Sequence, residues 1–296
     1  MSGNPDPKFS KKNQHFVPRF WMKRFADSSG QIFGRRRGYA RAVQVATRSI
    51  MTADWTYTVF DSLWRPADSL EDVLSAVEGE AARLMARLDD VSTSLDAASR
   101  DKLAEVIAIS GCRLPWVMRR AHRRMKEFGA ALAEINQSAD DRKFIDDLRE
   151  RFGVELSEND CAALRSRPPE DLDATAIYLI GISPQDPLWP EQEALRGAKP
   201  IADILRKMDF ALLDAPPNNL VLSDTPLPDS DLAAGFLLPL SHKLLLAVSP
   251  SAGGSGTCVR RLADPDEIKA SNRFQFDSLL EIVVGPNAAL LESLGT

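Results

Sequence analysis

The hydrophobic period of this chain changes near Asp209, and that change restricts it to folds combining helices with a sheet. Before Asp209, apolar residues recur at helical spacing. Leu74, Val77, Ala81, Leu84, Met85 and Leu88 fall on one stripe, and Ser69 followed by Glu71 and Asp72 supplies an N-cap and an acidic first turn. A second helix is predicted from near Asp96 through Leu103, Val106, Ile107, Ser110 and Leu114. Pro115 predicts a kink there, because its ring clashes with the carbonyl four residues back, at Gly111. The helix then resumes from Trp116 to about Asn136. Shorter helices are predicted over 140–152, 158–165, 174–182 and 200–208. After Asp209 the apolar residues come in short runs, 210–213, 220–222, 236–238, 244–248 and 280–284, mostly separated by Pro, Gly, Asn or Asp, and these read as strands. Asp264-Pro265-Asp266-Glu267 marks one more helix start, and 251–256 reads as a hairpin loop.

The other strong constraint lies at the N-terminus. Residues Gln14 to Phe25 hold four aromatics, a histidine and a proline, so the segment must pack rather than fray. Next, 31–34 and 42–46 alternate like strands around Arg35-Arg36-Arg37-Gly38-Tyr39, which predicts a small hairpin. The fold class expected is α+β: an N-terminal aromatic segment and hairpin, a helical middle, and a β-rich C-terminal third with a mostly antiparallel sheet. Residues 1–12 are expected to be a flexible tail. Residues 13–296 are expected to form one domain, helical over about 66–208 and β-rich over about 209–290.

Composition is that of an ordinary folded protein, with 44% apolar and 27% charged residues. No run of eighteen apolar residues occurs, so no membrane span is expected, and the polar start of the chain does not read as a leader. Three widely spaced cysteines without a Cys-Xaa-Xaa-Cys pair suit a reduced, cytoplasmic protein. The net charge of -5 hides an asymmetry, because residues 1–50 hold eleven Lys and Arg against two Asp. A second basic run follows Arg113, through Arg119, Arg120, Arg123, Arg124 and Lys126. The basic residues in 8–48 and 113–126 therefore offer either a phosphate-binding face for nucleic acid or a solvated surface.

Candidate site residues carry two readings each. His15 is either a structural hydrogen-bonding group or a general base, proton donor or phosphate contact. Glu71 and Glu78, seven apart, face nearly the same way from the edge of the first helix's stripe. They suit a border salt bridge, a pair of oxygen ligands for Mg²⁺ or Mn²⁺, or an acid/base couple. Arg113, one turn past Ser110, is a structural bridge to one of these glutamates or an anion clamp. Asp224, in Ser223-Asp224-Thr225-Pro226, is an Asx-turn residue, a general base or a metal ligand. Ser223 lacks a nucleophile elbow. His242 and Asn272 are lesser candidates, and His122 and Cys112 read as surface and core residues. Phosphate loops, dinucleotide glycine motifs, kinase motifs and His-Glu-Xaa-Xaa-His are all absent from the sequence.

Six elements in order also carry a resemblance: Gln14-His15 with Pro18 and Phe20, Trp55-Thr56-Tyr57-Thr58, Ser69-Leu70-Glu71 with Glu78, Arg113-Leu114-Pro115, Ser223-Asp224-Thr225-Pro226, and Pro239-Leu240-Ser241. Together they resemble the DUF4238 family, a bacterial group of unknown function, over roughly residues 13 to 285. The resemblance implies a shared fold and shared polar positions, and no activity.

Two functions are expected, the first ahead of the second. One is a hydrolase-like, nuclease-like enzyme in which His15, Glu71, Glu78, Arg113 and Asp224 share a partly open pocket, with or without Mg²⁺ or Mn²⁺. The other is a non-catalytic regulatory module in which those residues are structural. In that case the basic face, or aromatics such as Trp64 and Trp189, would bind nucleic acid, a protein partner or a second copy of the chain.

Overall fold

A computed structural model describes residues 13–27, 29–54, 59–60, 66–67, 69–134, 138, 140–166, 197–229, 232–251, 253 and 256–295. The predicted helix at 174–182, the Trp55–Thr58 element, Trp64 and Trp189 lie outside them. The class is α+β, with strands mostly in the C-terminal part. The chain divides into two units. One comprises residues 1–58, 68–114 and 195–296, and the other residues 59–67 and 115–194.

In the larger unit, β1 (Asn13–His15) leads into the short helix α1 (Arg19–Lys23). The hairpin β2 (Ile32–Arg36) and β3 (Val43–Val45) follows, then a 3-10 turn (Thr47–Ser49) and β4 (Thr52–Asp54). In the smaller unit, β5 (Val59–Phe60) and β6 (Pro66–Ala67) pair antiparallel. Next come α2 (Ser69–Arg87) and α3 (Ala97–Cys112) of the larger unit. Asp96 caps α3 by accepting from the Ser99 N–H.

The smaller unit continues with α4 (Pro115–Ala133), α5 (Asp141–Phe152) and α6 (Glu158–Arg165). Where the sequence suggests a kinked continuous helix, Pro115 instead ends one helix and opens another. Its fixed φ and missing N–H suit the first position of α4, while Arg113 closes α3. This unit has its own core, in which Phe128, Leu132, Phe144, Leu148 and Leu164 pack together.

The C-terminal part of the larger unit holds α7 (Ala198–Leu205), β7 (Asp209–Asp214), β8 (Leu222–Ser223), β9 (Phe236–Ser241), β10 (Leu244–Ser249) and β11 (Cys258–Leu262). It ends with α8 (Pro265–Ser278), β12 (Ile282–Gly285) and α9 (Ala288–Ser293). One four-stranded sheet runs β11-β7-β10-β9 and is antiparallel except where β11 lies parallel to β7. The chain after β10 therefore crosses to the far side of β7, so 251–256 does not close the hairpin expected from its glycines. β11 had no apolar run to announce it, because it is an edge strand with two arginines and mostly exposed side chains. Asp264 and Glu267 form the expected capping box on α8.

The second four-stranded sheet runs β3-β2-β12-β8. The N-terminal hairpin is thus completed by strands from the other end of the sequence. Gly34 sits where an added Cβ would lie 2.8 Å from the Ile282 side chain, so the crossing of β2 and β12 needs a glycine or a shift of that isoleucine. The aromatic segment is packed as its composition required, with Val17, Trp21, Met22 and Phe25 at 1% exposure or less. The Trp21 indole N–H donates to the Pro239 carbonyl at 3.0 Å, and the Arg24 guanidinium donates to Leu240 O at 2.8 Å while pairing with Asp89. These bonds fasten α1 to β9 without leaving the indole N–H or the guanidinium unpaired in the interior.

Candidate functional site

Three of the five site residues predicted from the sequence meet at the start of the chain. Arg113, at the C-terminus of α3, is 2% exposed. Its guanidinium donates to the Glu78 carboxylate of α2 and to the His15 backbone carbonyl of β1. A single arginine therefore joins two helices to the N-terminal strand. Glu78 keeps 28% of its side chain exposed, so one face of this network opens to solvent. The Glu71 side chain lies outside the described residues.

The His15 ring points elsewhere. Its Nε2 lies 2.8 Å from Thr47 O, and a carbonyl can only accept, so Nε2 carries the proton and Nδ1 holds a lone pair in the neutral ring. Burial holds His15 below its ordinary pKa, with the Arg19 and Arg113 charges acting the same way, against the Thr47 bond and the Glu78 charge. His242 is also lowered, mainly by burial, and its Nδ1 accepts from the Asn218 N–H at 3.0 Å.

Both folded-state values lie below those of the unfolded chain, so on acidification the unfolded state takes up protons that the folded state refuses. Stability is then full above about pH 6.5 and falls as pH drops below it. The melting temperature is expected to be lower at pH 5.5 than at pH 7.5, and less so in a His15→Gln/His242→Gln variant. A thermal melt series in matched ionic strength checks this; an unchanged slope in the variant would assign the dependence to other groups.

Asp224 belongs to a different network. At the end of β8 it is 2% exposed, and its carboxylate accepts from the backbone N–H groups of Leu280, Glu281 and Ile282 at 2.8, 2.7 and 3.1 Å. Burial raises its pKa, and the three donors partly offset that. Its neighbours are equally committed. Ser223 Oγ donates to Gln275 Oε1 at 2.8 Å, Gln275 Nε2 donates to Pro226 O at 3.0 Å, and Thr225 Oγ1 donates to Ser278 O at 2.6 Å. One turn earlier on α8, Asn272 bonds both Asn219 O and the Val221 N–H. The Ser-Asp-Thr-Pro turn is thus sewn to α8 and to the start of β12. Among the described residues, no hydrogen bond or ion pair joins Asp224 to His15, Glu78 or Arg113. Gln275 went unnoticed in the sequence, although its spacing of three from Asn272 puts both amides on one face of the helix that Asp264 starts.

Sequence reasoning also missed a cleft of about 430 Å³ on the other side of Thr47. It lies between α1, the base of the β2–β3 hairpin and the 3-10 turn, and its charged lining residues are Arg19, Lys23 and Arg48. All three are exposed. Arg19 Nε donates to Thr47 Oγ1 at 3.3 Å, so the residue that holds the His15 ring through its carbonyl also holds a wall of the cleft. Among the described residues no acidic side chain lines it. The cleft thus gathers three cations from α1 and the 3-10 turn, a grouping that individual positions in a generally basic stretch do not reveal.

The DUF4238 family model, described as a protein of unknown function, matches residues 13–284. The chain belongs to the DUF4238 family. That match takes in both polar networks and the cationic cleft, so each belongs to the region this DUF4238 chain shares with its family. No curated protein and no solved structure matches the chain. Among the described residues no helix is long and apolar enough to cross a membrane, and no three His, Cys, Asp or Glu residues are grouped to hold a metal ion. In the second basic run, the described side chains Arg120 and Arg123 are exposed, and Arg120 lies over the Trp116 ring at 5.1 Å.

Proposed function

We propose that this DUF4238 protein is a nucleic-acid-binding module whose ligand phosphates enter the cleft formed by Arg19, Lys23 and Arg48. The observation that carries the reading is the cleft itself, a concave site with three exposed cations and, among the described residues, no lining carboxylate. On this reading Arg113, Glu78 and Asp224 are structural: they hold the N-terminal segment and the β8 turn so that the cleft keeps its shape. Phosphate contacts of this kind give affinity that is independent of sequence and falls steeply with salt.

The test is fluorescence anisotropy with labelled RNA and DNA oligonucleotides between 50 and 200 mM salt. Wild type is expected to bind with a negative slope of log K against log salt. Arg19→Ala/Lys23→Ala/Arg48→Ala is expected to bind at least about tenfold more weakly with a shallower slope, by roughly 0.7 to 0.9 per lost phosphate contact. Equal binding by the two proteins would remove the cleft from the function.

A second reading, a hydrolytic enzyme acting on phosphodiesters, draws support from His15. A neutral ring with its Nε2 proton fixed on Thr47 O leaves Nδ1 as the basic atom, and Glu78 is near enough for its charge to act on the ring. Mg²⁺ or Mn²⁺ would be added to the same assays. Cleavage that disappears in a folded His15→Ala variant would favour the enzyme; binding without cleavage favours the module.

A further inference from the structure

The tip of the β2–β3 hairpin is held more firmly than an exposed turn needs to be. Arg35 Nε donates to Tyr39 O at 2.8 Å, and its Nη1 donates to Leu291 O and Leu294 O at 2.8 and 2.6 Å. The same guanidinium lies over the Phe276 ring at 4.8 Å. The Tyr39 N–H donates to Arg36 O, the Ala42 N–H donates to the Glu292 carboxylate, and Gly38 takes the left-handed φ of +80° that the turn requires. Tyr39 is thus fixed through both its backbone groups, yet its side chain stands 67% exposed. Arg37 and Arg41 flank it, both exposed, while Arg36 is drawn 3.8 Å from Glu281. Among the described residues, Glu281 and Glu292 are the carboxylates in contact with the turn, and each has one of these partners.

We infer that this tip is a stacking platform for a single-stranded nucleic acid, with the Tyr39 ring against a base and Arg37 and Arg41 on the flanking phosphates. The inference rests on the nucleic-acid reading above and specifies its ligand. A presented aromatic ring between two cations suits a strand whose base faces are open, whereas duplex bases are already stacked on one another. The four steps from Ile32 to Arg36 along β2 separate the tip from the cleft by roughly 13 Å at about 3.3 Å per step. One strand can therefore lie along the hairpin with phosphates at both ends, within the roughly 4 to 16 nucleotides common for such sites. Because the backbone is already ordered, binding costs little further chain entropy at the turn.

The experiment compares a labelled single-stranded oligonucleotide with the duplex of the same sequence, using the full chain at fixed salt. Tyr39→Ala is expected to weaken single-strand binding by about tenfold to a hundredfold and to change duplex binding little, the loss expected for one stacked base. Tyr39→Phe, which keeps the ring, should recover single-strand binding. Circular dichroism controls for folding. If Tyr39→Ala binds the single strand as wild type does while the Arg19/Lys23/Arg48 variant does not, stacking is overturned and the nucleic-acid reading survives. Equal losses on single strand and duplex also overturn the platform. If wild type binds neither oligonucleotide, both readings fall together.

Discussion

Asp224→Ala is expected to destabilise the protein by about 3–5 kcal/mol, one of the two largest effects of single changes at the candidate site residues. The carboxylate satisfies three backbone N–H groups at the join between α8 and β12, and alanine removes the acceptor from the buried Ile282 N–H and from the half-buried bonds of Leu280 and Glu281. Each buried unsatisfied group costs about 1–3 kcal/mol, and neighbouring losses are not fully additive. Asp224→Asn should recover only part of this, since its amide offers one acceptor oxygen where the carboxylate offers two and turns its NH₂ toward donors. Urea unfolding followed by circular dichroism measures the difference. A catalytic Asp224 would behave differently: either substitution would abolish an activity and leave the midpoint unchanged.

Arg113→Ala should be nearly as damaging, at about 3–5 kcal/mol, the range found when one partner of a buried ion pair is removed. The guanidinium is 97% inside and holds the His15 carbonyl as well as Glu78, so its loss unfastens the N-terminal strand from α3. Glu78→Gln should cost less, about 1–3 kcal/mol, because its amide oxygen can still accept from the Arg113 guanidinium, which keeps its bond to His15 O, although the charge opposite that buried cation is lost. The asymmetry is the informative outcome. Equal costs for the two substitutions would mean that the ion pair alone matters and that the bond to His15 O contributes nothing. At roughly 2–4 °C per kcal/mol for a chain of this size class, thermal melts resolve the two cases easily.

The candidate residues were legible in the sequence as residue types, while their grouping was not. His15 sits in a segment too aromatic to be loose, and Arg113 follows a helical stripe, so both could be singled out. That they meet through a backbone carbonyl could not be read, since no pattern of side chains records where a main-chain oxygen points. Asp224 shows the converse. A polar residue before a Pro-restricted turn fits a structural or a catalytic part equally well, and its partners, the three N–H groups brought up from residues 280–282, come from too far along the chain to be read there. The cleft was hidden for another reason. Arg19, Lys23 and Arg48 look like any scattered basic residues until α1 and the 3-10 turn are set side by side.

By itself the sequence determined what local physics controls: the helical and strand periods, the helix start near Asp96, the Asp264 cap, the N-terminal hairpin, and the burial of the aromatic segment. Tertiary structure alone decided the pairing of β2 with β12 and the crossing of β11 to the far side of β7. It also parted Asp224 from His15 and left Tyr39 standing in water on a fixed turn. Strand partners and charge clusters depend on residues far apart in the chain, and their energies exist only once the backbone has brought those residues together.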